Sequence, residues 1–130
     1  MMKLLYMPLL ILLMVPAIAA DPIDKVAALL AHGNTAELSK MLAANIEITM
    51  QDDENVYSKT QASLILDKFF AQNKPLSAKI LHKVNSNTNY LFGVLILNTG
   101  NGSYRIACTL KETEGSLKLI ELRIEAEKMK

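Results

Sequence analysis

Four segments in the second half of the chain constrain its fold more than any other feature. Leu76–Val84, Tyr90–Leu97, Tyr104–Lys111 and Leu117–Glu125 are rich in β-branched and aromatic residues, and Gly, Asn or Ser clusters bound each of them. They read as four consecutive β-strands. The turns between them decide which side chains share a face. Asn101-Gly102 is a strong two-residue hairpin signal, and it sets Leu91, Gly93, Leu95 and Leu97 beside Tyr104, Ile106, Cys108 and Leu110. At the last connection, a two-residue turn on Glu114-Gly115 would match the apolar face of the third strand with Glu121, Arg123 and Glu125. A three-residue loop Thr113-Glu114-Gly115, with Gly115 left-handed, matches it with Ile120, Leu122 and Ile124 instead. The longer loop is preferred, because a one-residue slip would bury three charges.

The covered face is then Leu91, Leu95, Leu97, Tyr104, Ile106, Cys108, Leu110, Ile120, Leu122 and Ile124. Arg105, Glu121, Arg123 and Glu125 point the other way and can exchange cross-strand ion pairs worth little each. Tyr90, Phe92, Val94 and Ile96 also lie on that supposedly exposed face. Four apolar residues there imply a docking surface, and a second copy of the chain is the favoured occupant.

The preceding residues supply the helical layer. Asp21 caps a short helix with Pro22 at its first position, Ile23, Val26, Ala27 and Leu30 form its apolar stripe, and Gly33 ends it. Asn34 caps a second helix with Glu37 as capping-box partner, and Leu38, Met41 and Leu42 pack inward. Ile46 to Met50 alternates as a short strand, and Gln51-Asp52-Asp53-Glu54-Asn55 reads as a polar turn. Ser58 and Gln61 form a capping box for a third helix, whose stripe is Ala62, Ile65, Leu66, Phe69 and Phe70 and which Pro75 forbids from continuing. The order is ααβαββββ, an α+β domain with helices packed on a curved antiparallel sheet.

Residues 1–20 carry a leader pattern. Lys3 precedes an apolar run from Leu4 to Val15, Pro16 breaks it, and Ala17-Ile18-Ala19 gives the small-x-small pattern of a signal-peptidase site. Cleavage after Ala19 or Ala20 is expected, leaving residues 21–130 as one exported domain, periplasmic or extracellular. The run is short for a membrane span of roughly 20 residues, so no membrane insertion is expected after cleavage. Removing Lys3 from the 14 Lys and Arg leaves 13 against 13 Asp and Glu. That balance, without basic clustering, excludes nucleic acid as a partner. Cys108 is the single cysteine, so no intramolecular disulfide forms, and its apolar strand neighbours make it a small buried residue.

Little else carries chemistry. The carboxylates Asp52, Asp53 and Glu54 lack the alternating ligands and turn glycine of a calcium loop. His32 sits at a helix C-terminus, where it favours the terminal carbonyls, and it has no strong partner for a metal site with His82. No metal and no cofactor is expected. Asn101-Gly102-Ser103 matches a glycosylation acceptor, but inside a tight turn the match is coincidence.

Gly33-Asn34-Thr35-Ala36-Glu37-Leu38-Ser39, Val56-Tyr57-Ser58-Lys59-Thr60-Gln61-Ala62, Ile80-Leu81-His82-Lys83, Asn101-Gly102-Ser103-Tyr104-Arg105 and Ile120-Glu121-Leu122-Arg123-Ile124-Glu125 carry a family resemblance. With this element order the chain resembles the nuclear-transport-factor-2-like superfamily, related in shape to cystatin-like folds. More specifically, it looks like small exported Bacteroidetes proteins known as a domain of unknown function. The resemblance implies a cone of sheet and helices and no particular activity, because that cone serves isomerases, dehydratases, adaptors and binding modules alike.

Two functions of different class follow. One is a noncatalytic module that binds a small apolar ligand in the cone, with Tyr57, Phe69, His82 and Tyr104 as cavity candidates. Such a module could equally bind a partner across the sheet through Tyr90, Phe92, Val94, Ile96, Arg105 and Arg123. The other is an isomerase- or hydrolase-like enzyme using His82, read as sharing the inner side with Ile80 and Val84, together with Tyr104. That chemistry wants a carboxylate base in the cavity, and no carboxylate falls on the covered face, so the module is preferred.

Overall fold

The computed structural model describes residues 21–87 and 89–127. The leader expected at residues 1–20 lies outside them. Three helices precede or interrupt six strands: α1 Pro22–His32, α2 Thr35–Met41, β1 Leu42–Met50, β2 Asp53–Ser58, α3 Lys59–Gln72, β3 Pro75–Asn87, β4 Tyr90–Thr99, β5 Gly102–Thr113 and β6 Ser116–Ala126. The α+β class is the one read from the sequence. β2 is an added element, because the polar turn is confined to Gln51 and Asp52 and the chain is extended from Asp53.

Each helix starts where its cap residue dictates. The Asp21 carboxylate accepts the Ile23 N–H at 2.8 Å, and the Asn34 side chain accepts the Glu37 N–H at 3.1 Å. Ser58 and Gln61 complete the reciprocal box, each side chain accepting the other's backbone N–H at 3.1 Å. Gly33, at φ 61°, ends α1, a conformation that costs other residues a clash at Cβ.

The strands form one sheet in the order β2-β1-β6-β5-β4-β3. Its neighbours are antiparallel except β1 and β6, which run parallel, so the sheet is mixed rather than purely antiparallel. The helices cover one face. Leu95, Leu97, Ile106, Cys108, Leu110, Leu122 and Ile124 meet Val26, Leu30, Leu38, Ala62 and Leu66 in a single core. Each fully buried Leu or Ile there stabilises the fold by about 1.5–3 kcal/mol relative to exposure.

Both hairpins keep the expected faces by routes that differ from expectation. Thr99 pairs with Gly102, so the first turn is centred on Gly100-Asn101, and Leu97 faces Tyr104. The Thr99 hydroxyl fixes it, accepting the Asn101 N–H at 3.1 Å and donating to the Gly102 carbonyl at 2.7 Å. A turn on Asn101-Gly102 would have paired Leu97 with Ile106 instead. That shift of two residues leaves every side chain on its own face.

At the second hairpin Thr113 pairs with Ser116, so the turn is the two-residue Glu114-Gly115, with positive φ at both. The three charges nevertheless stay out of the core. A β-bulge lies between Thr109 and Leu110: Leu110 faces Leu119, Thr109 faces Glu121, and Ile120 is the extra residue. Leu122 and Ile124 therefore point inward as expected, but Leu119 takes the core position assigned to Ile120.

Candidate functional site

A pocket of about 270 Å³ opens between α3 and the β1–β2 hairpin. Strand alternation sends Ile48 and Met50 of β1 and Tyr57 of β2 toward α3, and Ile46 sits opposite Tyr57 in the ladder. Ile65 and Phe69, one helical turn apart, face them, while Asp53, Lys68 and Gln72 add polar groups to the lining. An apolar body can be enclosed here and its polar end met by a carboxylate, an ammonium or an amide.

Phe69 joins this pocket to the core. Its ring meets Tyr104 edge-on at 5.0 Å between centroids and Phe70 at 5.7 Å. The Tyr104 hydroxyl donates to Asn73 Oδ1 at 2.7 Å, and Asn73 Nδ2 donates to the Phe69 carbonyl at 3.0 Å. Tyr104 thus buttresses the last turn of α3 and the ring of Phe69, with its hydroxyl already engaged.

Of the four cavity candidates, Tyr57 and Phe69 line the pocket and Tyr104 supports it from behind. His82 is elsewhere. Ile80 pairs with Leu95 on the inner face, but His82 pairs with Val94 and Val84 with Phe92, because a bulge at Leu81 reverses the alternation. His82 and Val84 are therefore exposed on the outer face, and the expected inward trio of Ile80, His82 and Val84 is broken. The same reversal turns Lys83 inward, where its ammonium lies 3.3 Å from both Asp21 and Asp24 at the start of α1. The sequence reading missed Ile48, Met50, Ile65, Lys68 and Gln72 as pocket residues. Their signal was present in the alternation of β1 and the i, i+4 spacing of α3.

The outer-face candidates lie on one face as read, but unequally covered. Phe92 is 38 % and Tyr90 36 % exposed, Ile96 is half-buried and Val94 is buried. Arg105 reaches across the hairpin to Glu127 at 3.4 Å rather than to Glu125 opposite it, and Arg123 reaches Glu125 on its own strand at 3.7 Å. Lys111 lies over the Tyr90 ring, 5.6 Å from its centroid. Burial pushes the Cys108 thiol up to about 11, opposed weakly by the Gly93 backbone, which leaves it protonated and unreactive at neutral pH. Among the described residues no cluster of three His, Cys, Asp or Glu could hold a metal ion, and no helix is long and apolar enough to cross a membrane.

Residues 23–125 match the model of a domain of unknown function, DUF4783. A solved DUF4783 protein from Bacteroides uniformis superposes with a TM-score of 0.79 at 23 % identity, covering 84 % of this chain and all of that one. Another, from Bacteroides ovatus, gives 0.76 at 24 % identity, covering 80 % and 94 %. An NTF2-like protein from Cytophaga hutchinsonii gives 0.61 at 9 % identity, covering 81 % and 92 %. At these identities the likeness to solved structures is one of fold. No functionally curated protein matches the chain. The chain belongs to the DUF4783 family, and its fold is the NTF2-like cone.

Proposed function

We propose that this protein is an exported, noncatalytic module that holds a small apolar ligand between α3 and the β1–β2 hairpin. The observation that carries this reading is the wall of Tyr57, Ile65, Phe69, Ile48 and Met50 around about 270 Å³ of space, near the lower end of the roughly 300–1,000 Å³ of ordinary ligand pockets. The leader pattern of residues 1–20 supports export. The enzyme alternative has lost its geometry: His82 is on the far face of the sheet from Tyr104, and the Tyr104 hydroxyl is engaged by Asn73. Native mass spectrometry of the protein from its own envelope tests the proposal. Extra mass that leaves on denaturation, and is missing in Ile65→Trp with the pocket filled, is the expected result. A protein without added mass that also retains nothing from an extract of envelope lipids and metabolites would overturn it.

A second reading rests on the outer face, where Val84, Tyr90 and Phe92 stay exposed beside half-buried Ile96. Two copies pairing there would cover this patch. Sedimentation at tens of micromolar should then show a dimer that Phe92→Glu converts to monomer. A parent protein that is monomeric under those conditions removes this reading.

A further inference from the structure

A second cavity, a groove of about 920 Å³, lies away from the pocket and is far larger. It exists because β1 and β6 part company. Leu42 pairs with Leu119 and Glu47 with Glu121, so β1 spends five residue steps where β6 spends two, and the ladder is interrupted between those points. The groove runs along this open seam, between the start of α3 and the β5–β6 hairpin.

Its charges are unusual. Lys111 and Lys118 are directly opposite each other in the hairpin register, and both line the groove. Like charges in that relation destabilise a strand pair. Among the described residues neither is paired with a carboxylate. Lys111 rests over the Tyr90 ring, and Lys118 donates to the Lys40 backbone carbonyl at 3.1 Å. Lys59 adds a third ammonium from the first position of α3, whose first turn carries no acidic residue. Among the described residues, the ion pairs are made by Lys40, Lys83, Arg105 and Arg123 and by none of these three lysines. Glu114 is the one carboxylate in the lining. Opposed ammonium groups that no carboxylate neutralises, inside a cavity, mark a site that an anion completes.

We infer that the groove binds a small phosphate or sulfate ester. Its anion sits between Lys111 and Lys118 with Lys59 across from it, within reach of the Thr60 and Ser116 hydroxyls. Its neutral body lies against Ala43, Ala44 and Ile120. Charge-assisted hydrogen bonds from two or three ammonium groups are strong enough to orient such a group, and they relieve the repulsion between the two opposed lysines.

The test is an amide NMR titration of the purified protein with sodium pyrophosphate in a phosphate-free buffer. The expected result is shifts confined to residues around Lys59, Thr60, Ser116 and Lys118, an affinity that falls with added sodium chloride, and a loss of about tenfold or more in the double variant Lys111→Gln, Lys118→Gln. In that variant the relieved repulsion offsets the lost contacts to Tyr90 and the Lys40 carbonyl, so its urea midpoint should lie close to the parent's, which separates lost binding from lost folding. Co-sedimentation with vesicles of equal parts phosphatidylcholine and phosphatidylglycerol distinguishes the source. Vesicle binding that the double variant loses identifies a lipid headgroup, and pyrophosphate binding alone identifies a soluble ester; both uphold the site. Pyrophosphate that moves no groove amide, or that binds the double variant as tightly as the parent, overturns it.

Discussion

Ile23 seats on Gly93. A Cβ built at position 93 would come within 2.7 Å of Ile23 Cγ2 and 3.0 Å of its Cδ1, so the missing side chain of β4 is the socket into which the first turn of α1 locks. Ile23 is 2 % exposed there. The glycine is needed for space, since its backbone is ordinary extended strand.

Gly93→Ala should therefore destabilise the protein by about 1–3 kcal/mol, the usual range for overpacking a filled core. In an Ile23→Ala background the same substitution should cost far less, because the colliding atoms are gone. A double-mutant cycle read by urea unfolding measures that coupling, and simple additivity would disprove the contact.

Leu119 and Ile120 are adjacent, but the bulge separates their fates. Leu119 is fully buried, whereas Ile120 is half-buried against the groove. Leu119→Ala should cost about 2–5 kcal/mol. Ile120→Thr should cost under about 1 kcal/mol, as a partly exposed site does. Equal effects at the two positions would place the bulge elsewhere.

Glu114 occupies the left-handed region at φ 51°, in a turn whose next residue is Gly115 at φ 87°. Glu114→Asn supplies the residue that such turns prefer and should stabilise the hairpin by about 0.5–1 kcal/mol. Gly115→Ala acts in the opposite direction. Urea midpoints of the two variants on either side of the parent are the expected readout.

The clasp between α1 and β3 sets a pH dependence. The Asp21 carboxyl lies below its ordinary value, first because it accepts the Ile23 N–H, which outweighs the opposing effect of burial, and then through Lys83. Hydrogen bonds to Asp21 and Asp24 hold the Lys83 ammonium above its ordinary value. A depressed carboxyl gives stability that is present above its unfolded value of about 3.9 and lost as pH falls through the folded one. A raised lysine gives stability that is present below about 10.4 and lost as pH rises through its folded value. The clasp thus acts across neutral pH and weakens at both ends. Asp21→Asn keeps a good cap and should flatten the acid side of the Tm profile, while Asp21→Ala should also cost about 1 kcal/mol at neutral pH. An unchanged acid profile in Asp21→Asn would assign that dependence to other carboxylates.

Tyr104→Phe tests the support of the pocket. It leaves Asn73 Oδ1, on a residue only 7 % exposed, without its donor. A loss of about 1–3 kcal/mol is expected for an unsatisfied buried acceptor. No loss would mean that the hydroxyl contributes nothing to the hold on α3.

What the sequence determined is what neighbouring residues decide among themselves. Asp21, Asn34 and Ser58 each supply the side-chain oxygen that starts a helix, and Gly33 and Pro75 mark where two of them must stop. Alternation identified the strands, and the first hairpin kept Leu95 and Leu97 beside Ile106 and Tyr104 even though its turn moved by one residue. Phe69 was legible because it lies at a periodic position of the well-capped α3, whereas Tyr57 was marked only by its place just before that helix, its strand β2 not being foreseen. The tertiary structure alone decided where the alternation breaks. The bulges at Leu81 and Ile120 turn His82 outward, Lys83 inward and Leu119 into the core, and the parting of β1 from β6 opens the groove. No local signal marks those positions, because an extra residue in a strand is stabilised by what the rest of that strand must face. Leu122 and Ile124 gain more by burial under the helices than the ladder loses at one interrupted pair.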